Sequence, residues 1–113
     1  MFAYVEREEA GFLVIEISTV RLEANNAPDL RAFLIGRIQG GAHQIVLDLQ
    51  NVQFMDSSAL GALIGAIKKM GPLGTLALVG PRGPVMQLLK LTRMDKVFPI
   101  YASVPAALGE LAR

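Results

Sequence analysis

The chain contains no cysteine, so it can form neither a disulfide nor a thiolate metal site. That absence fits a reducing compartment, and the expected location is the cytoplasm. Only one histidine is present, His43. A metal centre or a His-dependent nucleophile needs more partners than the sequence supplies, so no metal ligands are assigned. Charge of one sign is also missing. Eleven Lys and Arg face ten Asp and Glu, a formal net charge of +1, with no long run of either. Nucleic-acid binding is therefore not expected, since phosphate neutralisation needs a basic face. No G-x-x-x-x-G-K-[ST] pattern is available to cradle ATP. No apolar stretch approaches the ~18 residues of a transmembrane helix, so direct membrane insertion is not expected. The opening "MFAYVEREEAG" meets acids too early for a signal peptide. No paired acid and base or cofactor motif is visible, so neither catalytic residues nor a cofactor is assigned and an enzyme is not expected.

What the chain does have is apolar content. Hydrophobic residues make up 52% of 113 positions. That length suits one domain spanning 1–113 with a real core. The surplus is buried in that core or against a partner. "FAYVEREEAGFLVIEIS" reads as a hairpin turning at Glu9-Ala10-Gly11. "NNAPDLRAFLIGRIQGG" reads as a helix, with Asn26 as N-cap, Pro28 early and an apolar stripe of Leu30, Phe33, Leu34 and Ile38. "QIVLDLQNVQFM" is a strand covered on both faces, followed by a helix from Ser57 to Met70 that Gly71-Pro72 ends. "TLALVG" is a further buried strand, and "GPVMQLLKLTR" a helix with Pro84 in its first turn. "VFPIY" is a short edge strand because of Pro99, and "SVPAALGELAR" a helix capped by Ser103. The order implies an α/β fold: a mixed sheet with an N-terminal antiparallel strand, later parallel strands and about four helices.

The junction "FMDSSALGALIG", residues 54–65, carries the candidate site. Asp56 suits an N-cap, with Met55 and Leu60 at staple spacing. Ser57 and Ser58 then occupy the first turn. Leu60, Leu63, Ile64 and Ile67 form the predicted buried stripe. Gly61 and Gly65 each cost about 1 kcal/mol relative to Ala inside a helix, so some close approach by a sheet or a partner is expected. A cap explains Asp56. Taken alone, Ser57 and Ser58 read first as capping and first-turn polar residues; the functional alternative is a phosphoryl group, because at a helix mouth the dipole and first-turn N–H groups favour an anion. On Ser57 it would bring roughly −1.5 to −2 charge onto a docking surface without disturbing the fold.

These residues carry a resemblance. "IVLDLQNVQFMDSSALGALIG" resembles the core of STAS domains of the bacterial anti-sigma factor antagonist type. "RLEANNAPDLRAFL" and "GTLALVGPRGPVMQLLKLTRMDKVFPIYASVPAAL" extend it over nearly the whole chain. The resemblance implies a mixed sheet with helices on one side, and a phospho-acceptor directly after the Asp, which is Ser57, with Ser58 as fallback. It implies binding to an anti-sigma factor that is also a serine kinase, release on phosphorylation, and resetting by a phosphatase. The partner surface is expected at Asp56, Ser57, Ser58, Ala59, Gly61, Ala62 and Glu23. Ala59 and Arg93 stand where such domains usually have Gly, Glu23 where they have Asp, and Val20 where a Gly often precedes it. Two other roles of STAS-like domains compete: a subunit supporting the ATPase of a lipid-transporting ABC system, and a scaffold in a stress-sensing assembly. "GPRGP", residues 80–84, reads as a strand-to-helix turn, with an anion nest around Arg82 as the lesser alternative. Arg31, Arg37, Lys68 and Lys69 read as solvated charges.

Overall fold

A computed structural model describes residues 2–113. Strands β1 (Tyr4–Glu9) and β2 (Phe12–Ile17) form the hairpin, β3 (Arg21–Leu22) is short, and helix α1 (Ala27–Gln39) follows. Next come β4 (Gln44–Asp48), β5 (Phe54–Met55), helix α2 (Ser57–Met70) and β6 (Thr75–Val79). Helix α3 (Pro84–Leu91), a 3-10 turn (Met94–Lys96), β7 (Ile100–Tyr101) and helix α4 (Val104–Leu111) complete the chain.

The main sheet runs β1-β2-β4-β6-β7. Only β1 is antiparallel to its neighbour; β2, β4, β6 and β7 are parallel. The hairpin turns through Ala10 and Gly11, both at positive φ (54° and 83°), the backbone twist a two-residue turn requires. Strand alternation then divides the apolar residues between two cores. Ile15, Ile17, Ile45, Leu47, Leu76 and Leu78 join Leu30 and Leu34 of α1, Leu60 and Leu63 of α2, and Val85 and Leu89 of α3. Phe12, Val14, Val46, Ala77 and Val79 join Val104, Ala107 and Leu108 of α4. The central strands are thus covered on both faces, as their unbroken apolar runs predict. The helices do not all lie on one side: α4 alone closes the second face, because the residues between those of the first core are as apolar as the first set.

Two further differences bear on the site. The strand predicted up to Met55 is broken. β4 ends at Asp48, whose carboxylate accepts from the backbone N–H of Gln50 at 3.0 Å and folds the chain away. Phe54–Met55 pairs instead with Arg21–Leu22 in a separate parallel ribbon. The buried face of α2 is also rotated. Ala59, Ala62, Ala66 and Met70 are buried beside Leu60 and Leu63, while Ile64 and Ile67 are only half-buried. The small residues let α1 and α2 approach closely, and the larger ones fill the flank.

The outer strand β1 bears Glu6, Arg7, Glu8 and Glu9. Arg37 of α1 reaches back to it and donates to the Glu6 carboxylate at 3.0 and 3.1 Å while lying over the Phe33 ring. The hydrogen bond from Arg37 to Glu6 raises the guanidinium pKa further above its ordinary value.

Arg93 adopts φ 61° and ψ 18°, the left-handed region. A non-glycine residue there costs about 1–2 kcal/mol, and glycine returns part of that as unfolded-chain entropy. Arg93→Gly should therefore stabilise the fold by about 0.5–1 kcal/mol. The readout is a higher urea midpoint at unchanged m; a lower midpoint would show that the Arg93 side chain contributes more than its backbone costs.

Candidate functional site

The β3–β5 ribbon delivers two chain segments to one corner. β5 ends in Met55 and passes directly into Asp56, the N-cap of α2, with φ −99° and ψ −179°. β3 ends in Leu22 and passes into the loop before α1. Asp56 joins the two. Its Oδ1 accepts from the N–H of Ala59 at 3.0 Å, closing the first turn of α2. Its Oδ2 accepts from the N–H of Ala24 at 3.0 Å, across 32 residues of sequence. Its own N–H donates to the Leu22 carbonyl at 3.1 Å. Met55 and Leu60, the staple pair, are both buried in the larger core.

The partnering loop is equally fixed. Asn26 is buried and stands at the N-cap position of α1, but its side chain makes no cap bond. Its Oδ1 accepts from the Glu23 N–H and its Nδ2 donates to the Arg21 carbonyl, each at 2.8 Å. The predicted cap is therefore a loop clamp: the short amide meets two backbone groups of its own turn before it can meet the helix. Arg21 ion-pairs with Glu23 at 3.2 Å and lies 4.3 Å above the Phe54 ring. Such an exposed pair contributes little stability and chiefly orients Glu23.

On this platform Ser57 and Ser58 are both exposed, and among the described residues neither hydroxyl has a hydrogen-bond partner. They differ in direction. Ser58 lines a shallow groove of about 310 Å³ with Ala24, Ala27, Pro28, Arg31, Gly61 and Ala62, while Ser57 is not part of its wall. Gly61 and Gly65 also differ. A Cβ on Gly61 would meet nothing within 4 Å. One on Gly65 would stand 3.0 Å from the Arg31 guanidinium carbon, which lies over it.

The expected partner surface needs one correction. Ala59 is wholly buried and Ala62 is 3% exposed, so Ala59 offers a partner nothing and Ala62 only the groove floor. Their small size serves α1–α2 packing. Ser57 and Ser58 are exposed, and Glu23, Asp56 and Gly61 are half-buried. Ala24, Asn26 and Arg31 were not assigned to it from sequence. Asn26 is buried and clamps its own turn, while Ala24 and Arg31 act across the ribbon and between helices, where no local pattern records them. Arg82, the anion-nest alternative, donates to the Gln50 carbonyl at 2.9 Å and latches its turn. Among the described residues no group of His, Asp and Glu is placed to hold a metal ion. Among the described residues no helix is long and apolar enough to cross a membrane.

This arrangement has relatives. A sequence profile of the STAS domain matches residues 4–107. The chain belongs to the STAS domain family. This STAS domain is 43% identical over 103 residues to an anti-sigma F factor antagonist of Paenibacillus polymyxa, covering 89% of this chain and 87% of that protein. A crystal structure of an anti-sigma factor antagonist from Mycobacterium paratuberculosis matches it with a TM-score of 0.88 at 25% identity, over 100% of this chain and 96% of that one. The Bacillus cell fate determinant SpoIIAA in its phosphorylated form shares the fold, with a TM-score of 0.74 at 20% identity over 96% and 99% of the two chains.

The double use of Asp56 is testable by its two acceptors. Asp56→Ala removes both and should cost about 2 kcal/mol, a cap plus a tertiary hydrogen bond. Asp56→Asn keeps one carbonyl oxygen and should cost less. Amide exchange separates the bonds: Ala24 and Ala59 should both lose protection in the alanine variant, but only one of them in the asparagine variant.

Proposed function

We propose that this STAS domain is an anti-sigma factor antagonist, a cytoplasmic binding module rather than an enzyme. Its partner would be an anti-sigma factor that also acts as a serine kinase. The docking surface comprises Ser57, Ser58, Gly61, Glu23 and the exposed side of Asp56. Phosphorylation of Ser57 by that kinase ends the contact, and a separate phosphatase restores it.

One observation carries this reading. The Ser57 hydroxyl is exposed and unengaged, one residue after an aspartate locked by both carboxylate oxygens. An acceptor hydroxyl must leave its surroundings without cost, and its neighbours must not move when it is modified. Both conditions hold here. A dianion at this spot meets favourable first-turn backbone groups and a repelling Asp56, so the fold tolerates it. A partner that has covered the spot cannot hydrate the new charge. Losing roughly 3 kcal/mol of complex stability weakens binding about a hundredfold. The antagonist name of the Paenibacillus polymyxa relative and the phosphorylated form of SpoIIAA support the same reading.

Gly61 adds a second support. It costs about 1 kcal/mol of helix stability relative to Ala, and no part of this chain occupies the space above it. A partner's backbone approaching α2 would account for that cost.

Incubation with the cognate kinase and ATP should add phosphate that maps to Ser57. Ser57→Ala should retain binding to the unmodified level, and Ser57→Asp should weaken it about tenfold or more. Equal binding by both variants would remove the switch. Gly61→Ala should move stability and affinity in opposite directions: about 1 kcal/mol more stable by urea denaturation, yet weaker in binding by calorimetry. A stabilised variant with undiminished affinity would exclude Gly61 from the interface.

A further inference from the structure

The two adjacent hydroxyls are not equivalent, and the groove between α1 and α2 is what separates them. Ser58, Ala62 and Gly65 stand at i, i+4 and i+7, one line along α2. Ser58, Ala62 and Arg31 of α1 line the groove, and Arg31 lies over Gly65. Arg31 is the one charged residue in the groove wall. Among the described residues it has no ion-pair partner; it is exposed, with its guanidinium lying over Gly65. The rest of the wall is Ala24, Ala27, Pro28, Gly61 and Ala62, with no acid among them. Of the carboxylates nearest by chain, Asp56 is committed to Ala24 and Ala59 on the loop side, and Asp29, which follows Pro28, is not part of the wall.

We propose that this groove is an internal phosphoserine pocket for Ser58, with Arg31 as its ligand. A phosphoryl group on Ser58 enters the groove, and the Arg31 guanidinium leaves Gly65 to take two phosphate oxygens in its planar fork. The distances permit this. Ser58 and Gly65 are seven residues apart, about 10 Å along the helix axis. The Ser58 Cα–Cβ bond leans toward the start of α2, so the long Arg31 side chain covers the distance, swinging from Gly65 along the groove it already lines. The groove of about 310 Å³ is roughly ten times a water molecule's share of liquid volume, enough for the group. A phosphoryl group on Ser57, outside the groove wall, has no such cation and stays in solvent. One modified hydroxyl thus alters the surface a partner meets. The other draws charge inward and cross-links α1 to α2.

The proposal rests on the reading above only for its phosphate donor. A partner kinase holding ATP would supply the group. The bond from Ser58 Oγ to the γ-phosphorus forms as the γ-phosphorus–bridging oxygen bond breaks, ADP leaves, and the hydroxyl proton passes to a base of the kinase.

The test needs neither kinase nor partner. Phosphoserine is installed at position 58 or at position 57 of the full chain during translation, and each protein is titrated by phosphorus NMR. The second phosphate ionisation should lie lower at position 58 than at position 57, by about half a unit or more, because Arg31 favours the dianion. Arg31→Gln should raise the value at 58 to that at 57 and leave 57 unmoved. Arg31→Lys, which keeps the charge and loses the fork, should retain part of the difference. Equal values at the two positions, a shift at 58 indifferent to Arg31, or a phosphoserine-58 chain that does not fold would each overturn the proposal. A Ser57 switch that fails with the kinase would leave this result untouched.

Discussion

The bridge made by Asp56 is the constraint on which the site depends. One carboxylate oxygen closes the first turn of α2 and the other holds the backbone of the loop before α1. A single side chain therefore sets where α2 begins, how deep the loop sits, and which direction the following residues face. Asn26 performs the corresponding service from the other side, holding Glu23 and Arg21 by their backbone groups. Between them the two short polar side chains satisfy donors and acceptors that a two-strand ribbon cannot satisfy alone. The serines are thus carried on a corner with little freedom of its own. A surface of that kind is suited to gaining charge at Ser57 without backbone rearrangement, as the proposed switch requires.

The two cores explain how such a corner is held in place. The central strands bury residues on both faces, with α1, α2 and α3 on one side and α4 on the other. The small residues of α2 lie beneath the site rather than on it. Ala59 and Ala62 let α1 come close, and that closeness creates the groove that Ser58 and Arg31 both line. Packing and function are therefore not separable at these positions: the same methyl groups that complete the core define the spacing of the charged and hydroxyl groups above it.

Much of this was legible in the sequence. The unbroken apolar runs of β4 and β6 told of strands covered twice, and Asp56, Gly71-Pro72, Pro84 and Ser103 marked helix ends where the structure has them. Local chemistry fixes such ends, so local reading finds them. What was not legible depends on partners distant in sequence. The break after Asp48 falls in the mixed stretch from Asp48 to Gln53, where Leu49 and Val52 keep a strand-like spacing and the pairing of Phe54–Met55 with Arg21–Leu22 leaves no local mark. Asn26 looked like a cap because caps are what asparagine before a helix most often makes. The stripe on α2 was read with Ile64 and Ile67 at its centre, whereas the demand for close α1 packing turned Ala62 and Ala66 inward instead. Arg31 reads as a solvated charge and is exposed, but nothing in its own helix reports that Gly65 lies opposite it.

The outer strand has a consequence of its own. β1 presents Glu6, Arg7, Glu8 and Glu9 along the open margin of the sheet. A second copy laid antiparallel there and centred on Arg7 would set acid against acid, so the margin resists the strand-on-strand growth that seeds fibrils. Attachment of other molecules is thereby steered away from backbone zippering and toward side chains, where a single added group is a large fraction of the whole attraction. A chain that cannot polymerise along its flank remains free to let go.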